Sequence, residues 1–206
     1  MKTTRSIPSG RQALNHDLAR SAMASALGRS SRSTSTPPLR VEPAATPIAP
    51  WQMAAVQSAD AAAQEQLAAS YEACLRTYRD IARAQFGATD VDDVGAVMAF
   101  FVAINLHALH GVDVGASAMQ PLERQLRSVT RLAANWDVAT RAQRQCFFER
   151  IAILSILVSR SLADAASQEP AAMAHVRQSA REYLQHVLGL NPDLVTLGAD
   201  GLAPHA

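Results

Sequence analysis

The sequence predicts an all-α protein, specifically a five-helix up-and-down bundle that follows a disordered, basic N-terminal arm. Hydrophobic residues make up 49% of the 206 residues, which is enough to form a core. Only 5% are aromatic, alanine is abundant and runs of β-branched residues are missing, so helices are favoured over a β-sandwich. We therefore expect an arm over residues 1–50 and a helical bundle domain over residues 51–206.

The predicted arm differs sharply in composition from the rest of the chain. It contains six of the ten prolines, a Ser/Thr-rich run at residues 30–36 and a net charge of +5, whereas residues 51–206 balance at −4. Such an arm cannot bury enough apolar area to offset the entropy lost on ordering. Because the positive charge lies in the arm, no nucleic-acid partner is expected for the bundle.

One short stretch of the arm, residues 11–27, has the pattern of an amphipathic helix. Its small and apolar side chains recur every four residues, at Leu14, Leu18, Ala22 and Ala26. Two arginines, Arg11 and Arg20, lie nearby. Peripheral membrane contact through this stretch is one hypothesis. Equal partitioning onto liposomes of the full chain and of a chain lacking residues 1–50 would dispose of it.

The first two predicted helices are separated by glycine. Apolar residues at three- and four-residue steps predict a helix from about residue 56 to 86, with Gly87 as its cap. A second begins near residue 89 or 90 and ends at Gly111. Val94–Val112 carries no formal charge over 19 residues, but its polar Asn, His and His make membrane insertion costly, so no transmembrane segment is expected.

Three further helices complete the predicted bundle. They cover about residues 118–134, with Pro121 in the first turn, about residues 140–166, and residues 170–188. Gly189 is predicted to cap the last helix, with Leu190 folding back on Leu184. The second and fourth helices, centred near Phe101 and Leu154, are apolar on almost every face and should therefore be central.

Several blocks together resemble a family of bacterial helical domains of unknown function. They are Tyr78–Ala82, Ala96–Phe101, Glu149–Leu154 and Ala180–Asp193, continued by Leu197, Gly201 and Leu202. The resemblance covers about residues 70–202 and implies a helical fold without implying an activity. Members of the family often follow a cleavable signal peptide. This chain shows no apolar segment of that kind, so it is expected to be cytoplasmic or exported without a Sec signal peptide.

The candidate polar site consists of Asn105, His107, His110 and Asp113, because the first three interrupt the most apolar helix. These residues could line a buried polar or metal site. Zinc requires three or four convergent ligands, and two histidines at i and i+3 provide only part of such a set. Local hydrogen bonding at the wetter end of the helix is the favoured interpretation. No catalytic, cofactor-binding or metal-binding residue is assigned.

Three other features of the sequence, an aspartate cluster, a glycine-containing segment and an arginine cluster, have structural explanations. The aspartates at 90, 92 and 93 suit helix capping, and the Gly111–Gly115 segment suits a tight turn. Arg124, Arg127 and Arg131 share a helix face that might suggest a phosphate-binding strip, but Glu123 and Arg127 form an ordinary i,i+4 pair expected on a solvated surface.

The two cysteines predict neither a disulfide framework nor a metal centre. Cys74 lies on the apolar stripe of the first helix and is expected to be a core residue. Cys146 has Glu149 three residues later but no histidine close in sequence, so the base that a catalytic thiol requires is not evident.

Two functional hypotheses follow, and the first is favoured. In the first, the chain is a non-enzymatic helical interaction domain with a protein partner, exported through an arm that resembles the signals of type III substrates. In the second, it is a small-ligand carrier, metal-binding bundle or enzyme with a pocket between the two apolar helices, where Asn105 and His107 would be polar anchors.

The export hypothesis predicts that residues 1–50 carry a secretion signal. Fused to a reporter enzyme in a bacterium with a type III system, the segment should direct the reporter into the medium, because such signals depend on a flexible, acid-poor N-terminus. Retention of the reporter in the cytoplasm would contradict export.

Overall fold

A computed structural model describes residues 39–86, 91–111 and 113–205. Over these residues the chain forms seven α-helices, a 3₁₀ turn at Pro192–Leu194 and a two-stranded antiparallel hairpin. The elements are α1 Ala49–Gln57, α2 Ala61–Phe86, α3 Val94–His110, α4 Ala116–Leu132, α5 Ala134–Val138, α6 Arg141–Ala165, α7 Pro170–Val187, β1 Val195–Gly198 and β2 Gly201–Pro204. The amphipathic stretch predicted at residues 11–27 lies outside the described residues.

The helical class predicted from the sequence is confirmed, but the count of five helices is wrong. The helix predicted over residues 56–86 corresponds to α2, which begins after Asp60: the Asp60 carboxylate accepts the Ala63 N–H at 2.7 Å, and the Asp60 N–H donates to the Ser58 hydroxyl at 3.1 Å. Helix α1 lies mostly before residue 56 and was not predicted. The short α5 is also additional. Pro121 lies in the second turn of α4, since this helix begins at Ala116 and not near residue 118.

Several predicted caps are observed, but α3 begins at Val94 and not near residue 89 or 90, and the predicted cap Gly87 lies outside the described residues. Asp93 accepts the Ala96 N–H at the start of α3, and Gly111 adopts the left-handed conformation at its end, with φ 68°. Thr140 forms a capping box with Gln143 at the start of α6. After α7, Gly189 also has φ 68°, and the N–H of the buried Leu190 donates back to the Leu184 carbonyl at 2.9 Å.

Helix α3 lies at the centre of the packing and contacts α4, α6 and α7, while α2 and α1 pack on α6. The core between these helices contains large, fully buried side chains from α2, α3, α4, α6 and α7: Leu75, Tyr78, Met98, Phe101, Leu122, Leu126, Phe148, Ile151, Ile153, Ile156 and Leu184. Within the described ranges, none of the helices combines the length and hydrophobicity needed to cross a bilayer.

The C-terminal hairpin was not predicted from the sequence. It pairs Val195 with Pro204 and Gly198 with Gly201, and Gln125 of α4 holds it. The Gln125 side chain accepts the Leu202 N–H at 2.8 Å and donates to the Leu202 carbonyl at 2.9 Å. A Cβ at Gly201, whose φ is 102°, would lie 2.6 Å from the Gln125 Oε1 atom, so glycine permits this close docking.

The segment before α1 packs against the bundle although the sequence assigned it to the arm. Val41 is 4% exposed, and its N–H donates to the Asp92 carbonyl at 3.0 Å. Glu149 of α6 accepts the Ile48 and Ala49 N–H groups at 2.7 and 2.8 Å and so caps α1. The division into an arm of residues 1–50 and a domain of residues 51–206 stays a prediction, because residues 1–38 lie outside the described residues.

The close approach of α3 and α4 predicts that Gly95→Ala is destabilising. An added Cβ would lie 2.8 Å from both the Arg127 Cβ and the Glu123 carbonyl oxygen. We expect a loss of about 1–3 kcal/mol in the free energy of unfolding measured with urea. Gly198→Ala is the matched control, because its Cβ would meet nothing within 4 Å, and it should change stability by less than about 0.5 kcal/mol. Equal effects would contradict the packing argument.

Candidate functional site

The four residues of the predicted polar site do not converge on one cavity. Asn105 is fully buried, and its Nδ2 atom donates to the Phe101 carbonyl at 2.8 Å, while its Oδ1 atom has no hydrogen-bond partner. It lines neither of the two surface grooves described below. His107 lies in one groove and His110 in the other, while Asp113 borders both. Among the described residues, no group of three or more histidine, cysteine or carboxylate side chains could hold a metal.

His107 and Asp113 do approach each other. The His107 Nδ1 atom lies 3.0 Å from the Asp113 Oδ1 atom in a charge contact that is not aligned as a hydrogen bond. Asp113 is 96% exposed, so solvent screens this contact.

The larger groove, which we call the central groove, has a volume of about 1000 Å³. Helix α3 forms its floor, and α4 and α6 form its two walls. The floor consists of Phe100, Ala103, Ile104 and His107. The α4 wall contains larger side chains, from Met119 to Arg127, whereas the α6 wall is built mainly of small ones: Ser159, Leu162, Ala163 and Ala166.

The floor residues follow the spacing of a single helix face. Positions 100, 103, 104 and 107 are related by steps of three and four residues, so they form one stripe along α3. Most of α3 is fully buried, but Phe100, Ile104 and His107 on this stripe remain partly exposed. The apolar surface of α3 therefore extends beyond what the other described helices cover.

A buried ionic cluster, which we call the Asp93–Arg127–Glu123 cluster, lies at one end of the central groove. Arg127 donates to both carboxylate oxygens of Asp93, at 2.9–3.2 Å, and also to Glu123. All three residues are less than 10% exposed. The predicted Glu123–Arg127 pair therefore forms, but the prediction that it lies on a solvated surface is wrong, because the packing of α4 on α3 removes it from water.

The aromatic side chains beside this cluster hold the floor in place. Tyr78 of α2 packs on Phe100 and Phe148 with ring centroids 5.8 and 5.7 Å apart. The Tyr78 hydroxyl is buried without a hydrogen-bond partner. Burial, and secondarily the negative charge of Asp93, raises its pKa well above the usual value, so it stays protonated and acts as part of the core.

The smaller groove, of about 490 Å³, separates the end of α3 from the C-terminal hairpin. His110, Asp193 and His205 border it. Asp193 is paired with Arg181 of α7, and this hydrogen bond lowers the pKa of the carboxyl group. A carboxylate held in this surface pair is ionised at neutral pH.

The aspartates before α3 and the two cysteines have structural roles in the described residues. Asp92 pairs with Arg79 at 3.3 Å, Asp93 caps α3, and residue 90 lies outside the described residues. Burial raises the pKa of both Cys74 and Cys146, which disfavours a reactive thiolate. The Cys146 thiol lies 3.2 Å from the Gln52 Oε1 atom, at hydrogen-bond distance.

Sequence reasoning missed the α4 wall of the central groove and the Asp93–Arg127 contact, although the second hypothesis placed a pocket with His107 between the two apolar helices. The floor residues Phe100 and Ile104 read as core, because periodicity cannot tell a covered apolar face from an uncovered one. One signal was available: Gly95 inside an apolar helix marks a close backbone approach, which here is the approach of α4.

The fold and its grooves define a helical domain with an open apolar groove beside a buried ionic cluster. The chain belongs to a family of unknown function, DUF6683, whose family model matches residues 5–204. This confirms the resemblance to a domain of unknown function and extends it from about residue 70 towards the N-terminus. No curated protein and no solved structure matches the chain.

Proposed function

We propose that the chain is a non-enzymatic protein-binding domain that accepts an amphipathic helix of a protein partner in the central groove. One observation carries this proposal: Phe100, Ile104 and His107 of the floor stripe lie partly exposed between two helical walls. Export through residues 1–50 is part of the proposal and depends on their composition alone.

The geometry of the groove suits a helix. The floor stripe spans eight residues of α3, a rise of about 10 Å, which corresponds to two helical turns. An incoming helix would pack its apolar side chains against this stripe by the same three- and four-residue spacing. Ser159, Ala163 and Ala166 on the α6 wall leave room for a close approach of its backbone.

The rim sets the polar requirements for the partner. Arg124 is exposed on the α4 wall, and Asp113 is exposed near the opposite end of the floor. A partner helix with an apolar stripe and polar flanks would therefore leave its charged side chains in solvent at the rim. A small amphiphilic ligand, with its polar group near His107, is the alternative occupant.

The proposal predicts that amphipathic helices bind the full chain and that filling the groove abolishes this binding. A displayed library of helical peptides should yield binders with apolar residues at i, i+3, i+4 and i+7. Ala163→Trp on the exposed wall and Ile104→Arg on the floor should each weaken binding of the selected peptides at least about tenfold, equivalent to about 1.4 kcal/mol. Fluorescence anisotropy with labelled peptides measures the change.

Val138→Arg is the matched control, because Val138 is 76% exposed and does not line the groove. It should leave the affinity unchanged. Ala163→Trp keeps the test valid if Ile104→Arg lowers stability, since Ala163 is not part of the core. Failure to select any helix, or equal binding to the wild type and Ala163→Trp, would overturn the proposal. Binding of a fatty acid that selected helices do not displace would favour the ligand alternative.

A further inference from the structure

We propose that residues 11–27 of this chain occupy the central groove intramolecularly and so compete with the protein partner. The inference rests on the proposed function, because it names an occupant of the same groove and a form of regulation by it. Three observations support it: the position of Leu39, where the described chain begins, the apolar pattern of residues 11–27, and the opposite net charges of residues 1–50 and 51–206.

The described chain begins at the edge of the central groove. The Leu39 N–H donates to Asp93, and the Leu39 carbonyl accepts the Val94 N–H at 3.0 Å, so the backbone is held at the start of α3. Asp93 is bonded to Arg127, which lines the groove. Leu39, the first described residue, is therefore linked to Arg127 of the groove wall through Asp93.

The length and pattern of the segment match the groove. Leu14, Leu18 and Ala22 would span about 12 Å in a helix, close to the roughly 10 Å of the floor stripe. The 11 residues 28–38 can extend about 36–40 Å, whereas the whole of α3 is about 25 Å long. The linker can therefore place the segment anywhere along the groove.

Charge and family extent also favour this occupant. Residues 1–50 carry a net charge of +5 and residues 51–206 a net charge of −4, so the two parts attract each other. The family model matches from residue 5, so the segment belongs to the unit that the family defines. A linker of this length gives an effective concentration in the millimolar range, so even a weak helix–groove contact is occupied intramolecularly.

A photo-crosslinking experiment on the full chain tests the proposal. With p-benzoylphenylalanine in place of Leu18, irradiation should give a product of monomer mass whose adduct maps to residues 100–107 or 159–166. The same photo-crosslinker in place of Arg20, on the opposite side of the predicted helix, is the matched control and should give little of this product. Adding Ala163→Trp to the Leu18 variant should remove the groove adduct.

The peptide-binding assay provides the second readout. Leu14→Glu with Leu18→Glu should strengthen the binding of selected helical peptides, about tenfold where the segment fills the groove nine-tenths of the time. Selected helices that bind the wild type and this double variant equally, with no groove adduct, would overturn the intramolecular proposal and leave the proposed function intact. If no helix can be selected on the double variant and no groove adduct forms, both fail. An adduct of dimer mass would assign the segment to a second copy and overturn the intramolecular contact.

Discussion

The Asp93–Arg127 ion pair is the interaction on which the arrangement around α3 depends. One carboxylate caps α3, receives the backbone N–H of Leu39 and accepts three hydrogen-bond contacts from the Arg127 guanidinium. Two buried charges are costly to remove from water, and this geometry compensates for the cost because the Asp93 oxygens accept from two backbone N–H groups as well as from the guanidinium. The pair thereby fixes the positions of α4 and of the backbone at Leu39 relative to α3.

At two other places a polar side chain on a helix likewise binds the backbone of a neighbouring irregular segment or hairpin. Glu149 and Gln145 of α6 bind the backbone of residues 44–49 and the start of α1. Gln125 of α4 binds both backbone groups of Leu202 in the hairpin. In each case a polar side chain on a helix satisfies backbone groups that have no partner in regular secondary structure. The peripheral segments are thus anchored at defined points on the bundle.

Among the described residues, these anchors leave one face of the central helix open. The hairpin docks on α4, and residues 39–49 dock at the start of α3 and on α6, so neither lies over the stripe that contains Phe100 and Ile104. An apolar stripe between two helical walls is the surface on which helix-in-groove recognition depends. The proposed function and the proposed intramolecular contact both follow from this unfilled position, and they differ only in which helix fills it.

Much of the local structure follows from the sequence, because caps and periodicity act over a few residues. Gly111, Thr140, Pro170 and Gly189 mark helix ends where the structure has them, and the apolar residues of α3 and α6 identify the central pair. Helix α1 was missed because the sequence prediction assigned no helix before about residue 56, and the start of α2 was placed a few residues early although Asp60 is a capping residue.

Only the tertiary structure decided which polar residues are buried and which apolar ones are not. Arg127 reads as a surface residue until Asp93, 34 positions earlier, comes within hydrogen-bonding distance. Ile104 reads as core until α4 and α6 leave its face uncovered. Both facts depend on contacts between distant segments, and the physical reason is that periodicity specifies the face of a helix on which a side chain lies but not what packs against that face.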